Sequence, residues 1–127
     1  MAIGWGMMKR FMNVTLLIIF GVLFIVAGGA KLMGSHSQIE HFSQWGYPVW
    51  FLYLTGIIEV GGGICLLIPK LQFYGIAVLS LTMVGAALTH VKAGEMEAFP
   101  VPVVLLSLLL LLAWTVRKPP KNGKENL

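Results

Sequence analysis

Three residues able to exchange protons or hold charge stand within or beside long apolar runs: Lys31, Glu59 and His90. A carboxylate can relay a proton, and an imidazole can donate or accept one. An ammonium can stabilise negative charge growing on an oxygen. These groups are expensive in a bilayer, where a central charge costs about 2.5 to 3.5 kcal/mol, and they normally face a partner or a wet cavity. Each also has a purely structural reading. Glu59 could clasp two helices together, Lys31 could snorkel to the interface, and His90 could sit near a helix end.

The elements that carry these residues are membrane spans. The chain has 127 residues, of which 57% are hydrophobic and 11% charged, with a mean hydropathy of +0.85. A soluble domain needs more charge to cover its surface. Four stretches, about 11–30, 49–68, 71–91 and 98–116, are of the length that crosses a bilayer. They predict an all-α, integral membrane four-helix bundle forming one domain over residues 1–117, followed by a disordered basic tail over 118–127. Lys9 and Arg10 before the first span, with "AGGA" at Ala27–Ala30, resemble a secretory leader. The apolar run exceeds the roughly 7 to 15 residues of a leader core, so a permanent helix is expected.

Loop charges set the orientation. Lys9, Arg10, Lys70, Arg117, Lys118, Lys121 and Lys124 fall on one side, which the positive-inside rule assigns to the cytoplasm. Both termini are therefore expected there. The net charge of +4 needs no nucleic-acid partner; contact with anionic lipid accompanies such a tail. On the other side, "GSHSQIEHFSQWGYPVW" places Ile39, Phe42 and Trp45 at helical spacing. It predicts a short interfacial helix between the first two spans, stopped at Gly46, with Pro48 opening the second span.

Depth and rotation bring the three residues together. Glu59 lies about ten residues into the second span, roughly 15 Å deep. Lys31 and His90 end outward-running spans. Side chains lean toward their helix N-terminus, so Glu59 leans outward while the other two lean inward. Small residues lie one turn from each: Ala27 and Gly28, Gly56, Gly62 and Gly63, and Ala86 and Ala87. Small faces are where membrane helices approach closely. The expectation is a shared polar pocket opening outward, to which Thr55, Thr82 and Thr89 could add hydroxyls.

Other chemistry is disfavoured. Cys65 is the only cysteine, which removes intramolecular disulfides, dithiol redox chemistry and thiolate metal sites. The interior offers haem one histidine and no second axial ligand. His36, Glu40 and His41 could hold a metal at the outer surface, but no HExxH-type motif is present and a solvated face is the better reading. No metal is expected. The Gly61–Gly63 run reads as helix packing, not a phosphate loop, because no strand precedes it.

The blocks "GVLFIVAGGAKL" (Gly21–Leu32), "FSQWGYPVWFLYLTGIIEVGGGICLLIP" (Phe42–Pro69) and "GAALTH" (Gly85–His90) resemble the DoxX-like family of small four-helix bacterial membrane proteins. They carry Lys31, Glu59 and His90. The resemblance implies a four-helix bundle in the bacterial cytoplasmic membrane. Relatives look like subunits of quinone-linked enzymes, including a thiosulfate-oxidising quinone reductase and a terminal quinol oxidase; others are linked to thiol and oxidative-stress systems. A distant animal relative acts as a receptor assembly chaperone.

Three functions follow as expectations. The first is a redox-linked subunit binding a quinone or similar lipid-soluble molecule, with His90 donating, Glu59 relaying protons and Lys31 stabilising charge. Nothing in the sequence binds a flavin or iron–sulfur cluster, so electrons would come from an oxidoreductase partner. The second is a non-enzymatic assembly factor or scaffold for another membrane protein. The third is a small proton-coupled carrier, for which four helices are few unless the chain forms a homo-oligomer.

Overall fold

The computed structural model describes residues 2–116, with side chains from residue 6. The described residues form five α-helices and no strand: α1 (Ala2–Leu32), α2 (His36–Gln44), α3 (Val49–Leu67), α4 (Gln72–Ala93) and α5 (Pro100–Val116), with a 3-10 turn at Pro69–Leu71. The tail over 118–127 lies outside the described residues. Three helical segments, Gly6–Leu32, Val49–Leu67 and Pro69–Ala93, are long and apolar enough to cross a membrane. α5 is apolar but has only 17 residues, about 26 Å at 1.5 Å per residue.

Boundaries differ from expectation at the first helix. α1 begins at Ala2, not near Phe11. Lys9 and Arg10 interrupt the apolar run, but both are good helix formers and no proline breaks the helix. The other ends have local causes. Gly46 and Gly94 take φ of +87° and +76°, a left-handed conformation open to residues without a Cβ. Each closes a Schellman turn. The Gly46 and Tyr47 amides donate to the Ser43 and Phe42 carbonyls; those of Gly94 and Glu95 donate to Val91 and His90. Pro48 sits at the N-cap of α3 with ψ 159°.

α1 packs most closely against α3, α3 also against α4, and α4 against α5. In lipid this packing rests on van der Waals contact, since hydrocarbon competes with any apolar side chain. Small residues carry it. A Cβ on Gly28 would lie 2.6 Å from the Gly56 carbonyl oxygen, and one on Gly63 would lie 2.7 Å from that of Gly21. The two contacts make a seven-residue antiparallel register between α1 and α3. One position away, a Cβ on Gly62 would lie 2.7 Å from Leu79 Cγ of α4. Adjacent glycines thus serve different neighbours. Gly61, by contrast, has open space around its Cβ position and takes no part.

The apolar core lies at the end remote from α2. Phe20 and Phe24 of α1, Leu66 of α3, Leu79 of α4, and Leu109 and Leu112 of α5 meet there. The exterior is equally apolar: Phe11, Leu81 and Trp114 are 69%, 73% and 76% exposed. Such a surface suits acyl chains and not water.

Candidate functional site

Lys31 occupies the last turn of α1 and Glu59 the middle of α3. Their Nζ and Oε1 atoms are 3.1 Å apart, a hydrogen-bonded ion pair. Gly28 and Gly56 bring the two backbones together, each three residues before its charged partner. Because both side chains lean toward their own N-termini on antiparallel helices, they meet beside this crossing. Glu59 is 4% exposed. A lone charge so buried would be costly, and pairing offsets much of that cost.

His90 does not join this pair. Its Nδ1 lies 2.9 Å from Glu95 Oε1, because the Gly94 turn folds Glu95 back over the end of α4. An ionised carboxylate only accepts, so Nδ1 carries the proton and Nε2 is left for other partners. The Trp45 indole donates to both oxygens of Glu95 at 3.3 Å, and its ring meets that of His90 edge-to-face at 5.7 Å. The bond from His90 first, and that from Trp45 second, hold the Glu95 carboxyl below the usual carboxylate range. Beside this knot, Thr89 Oγ1 donates to the Gly85 carbonyl at 2.8 Å. Its single proton being used, it accepts the Tyr47 hydroxyl, also at 2.8 Å.

These contacts place α2 as a plug. Phe42, its buried residue, packs against Trp45, Tyr47 and Phe51 with ring centroids 5.2, 6.0 and 6.2 Å away. Beneath lies a cavity of about 630 Å³, bordered by Lys31, Glu59 and His90. Its size falls in the range of small-molecule sites. Thr55, Thr82 and Thr89 border it too; so do apolar residues from α1, α3, α4 and α5. The Thr55 and Thr82 hydroxyls bond carbonyls of their own helices, at Phe51 and Val78, so the walls are less polar than the residue types suggest. The cavity offers an ammonium and a carboxylate in contact, and an imidazole whose other nitrogen is anchored.

Glu95 and Tyr47 had no place in the sequence pattern, and Trp45 only one on the apolar stripe of the short interfacial helix. The available signal was His90, Gly94 and Glu95 in series, a helix-ending glycine that returns the next side chain onto the last turn. Among the described residues no group of three or more metal-binding side chains occurs. His36 and Glu40 are exposed, and His41 stacks on Trp45 at 5.9 Å.

Residues 15–112 match the DoxX-like family. The chain belongs to that family. It is 33% identical over 118 residues to a Bacillus subtilis (strain 168) protein named "Putative oxidoreductase CatD", covering 86% of this chain and 84% of that one. It is also 40% identical over 45 residues to "Uncharacterized protein YdgD" of the same organism, covering 35% of this chain and 40% of that protein. No solved structure matches. With family and apolar helices together, this is a multi-pass membrane protein.

Proposed function

We propose that this DoxX-like protein is a redox-linked membrane subunit that binds a quinone or similar lipid-soluble molecule in the cavity beside Lys31, Glu59 and His90. The observation that carries this reading is the buried Lys31–Glu59 pair on the wall of a mostly apolar cavity. The oxidoreductase name of the Bacillus relative supports the redox class. In this reading α1, α3, α4 and α5 all cross the bacterial cytoplasmic membrane, α5 with local thinning of the bilayer. Both termini are cytoplasmic and α2 lies on the outer surface.

Reduction of a quinone to its quinol takes two electrons and two protons. The electrons come from a partner oxidoreductase subunit carrying a flavin or metal centre. Lys31 donates a hydrogen bond to a quinone oxygen and stabilises the negative charge that grows there. Glu59 passes one proton to that oxygen, and the second proton reaches the other quinone oxygen through His90. His90, fixed through Nδ1 by Glu95, serves the ligand through Nε2, as donor when protonated and acceptor when neutral. A cavity of this volume accommodates a substituted ring.

The test is quinone-analogue binding to the full chain in nanodiscs, followed by quenching of tryptophan fluorescence. Wild type is expected to bind, and Lys31→Met and Glu59→Gln to bind at least tenfold more weakly. Absence of binding by every analogue in the wild type would overturn the reading.

A further inference from the structure

On one side the cavity is bordered by α3 and α4. These helices pack closely where a Cβ on Gly75 would lie 2.8 Å from the Gly62 carbonyl oxygen and one on Gly62 would lie 2.7 Å from Leu79 Cγ. They are joined again at the α2 end by the Tyr47–Thr89 bond. Between these two fastenings run Phe51, Thr55 and Ile58 of α3, and Leu81, Thr82 and Gly85 of α4. All six border the cavity. Within α3 the separation from Val49 to Ile58 corresponds to about 14 Å along the helix axis.

Three observations make this slot an opening. Leu81 borders the cavity while being 73% exposed. A Cβ on Gly85 would meet nothing within 4 Å. The Thr55 and Thr82 hydroxyls are bonded back to Phe51 and Val78, which leaves the walls with methyl and hydrocarbon surface. The route through the α2 end, by contrast, is filled by Phe42, 6% exposed, and its aromatic neighbours. α3 and α4 are both of membrane-crossing length, so the slot faces acyl chains.

We propose that the α3–α4 slot is a lateral doorway through which a lipid-soluble molecule bearing an apolar tail reaches Lys31 and Glu59, the tail remaining between Phe51, Ile58 and Leu81. The identity of the head group rests on the quinone-type reading; the doorway does not. Polar ends of such molecules need a hydrogen-bonding terminus, which the ion pair supplies, while their tails need none. A tail left in the slot stays in contact with the hydrocarbon it came from.

Two measurements on the full chain in nanodiscs test this, in a Cys65→Ser background. First, a nitroxide on Thr55→Cys is expected to collide with oxygen, which partitions into lipid, more than with a water-soluble nickel complex. Gly85→Leu, or Leu81→Trp as a second plug, should lower that oxygen collision rate several-fold. A nickel-dominated response, or indifference to both plugs, overturns the doorway. Second, two quinone analogues with one head group, one with a decyl chain and one with a methyl, are compared. Gly85→Leu should weaken the decyl analogue at least tenfold more than the methyl one; equal loss, or none, overturns the placement of the tail. If the wild type binds neither analogue, the quinone reading fails and the nitroxide result alone decides the doorway.

Discussion

Removing Lys31 should reveal how the ion pair is held. In Lys31→Met the Glu59 carboxylate, 4% exposed, loses its partner at 3.1 Å. Breaking a buried pair from one side costs about 3 to 5 kcal/mol. The Lys31 side chain retains 17% exposure, so part of its charge is already solvated and the lower end applies. A loss of about 3 kcal/mol raises the unfolding constant roughly a hundredfold. Replacing both partners, Lys31→Met with Glu59→Leu, removes the stranded charge and should return stability to within about 1 kcal/mol of wild type. The coupling energy is therefore at least about 2 kcal/mol. Reversible unfolding in mixed micelles, followed by circular dichroism, measures all four corners of the cycle. Additive single effects, or a Lys31→Met variant as stable as wild type, would refute the reasoning.

Gly28→Ala should destabilise by about 1 to 3 kcal/mol in the same assay, because its Cβ would press on the Gly56 carbonyl. Gly29→Ala, with open space at the same depth, should gain up to about 1 kcal/mol from helix propensity. Glu95 predicts an acid response. Its carboxyl is held below the ordinary value of 4.5, so its contribution is complete above that value and is lost as pH falls through the lower folded one. A nitroxide on Ser43→Cys, again with Cys65→Ser, should gain mobility across that acid range, and Glu95→Gln should show it already at neutral pH. An unchanged spectrum in both would show that Glu95 does not hold α2.

The apolar runs were legible because a bilayer demands length and hydrophobicity from each helix and little else. The start of α1 was not, since Lys9 and Arg10 interrupt the apolar run without interrupting the helix. The contact of Lys31 with Glu59 could be anticipated from small residues one turn away from each, because these face helices and not lipid. The pairing of His90 was hidden. It depends on a left-handed glycine turning Glu95 back, and neither hydropathy nor helical spacing registers that reversal. Polarity of the walls was also overstated, since threonine hydroxyls can be absorbed by carbonyls four residues back, as at Thr55 and Thr82.

α3 works as a gauge whose marks cannot be respaced. Gly56 and Gly63 meet α1, Gly62 meets α4, and Glu59 falls between them. One residue added between Glu59 and Gly62 would rotate everything above it by about 100° relative to everything below. The carboxylate would then leave its lysine while the glycines beneath still met their neighbours. Length variation is thus barred from eight consecutive positions (56–63) of a single helix.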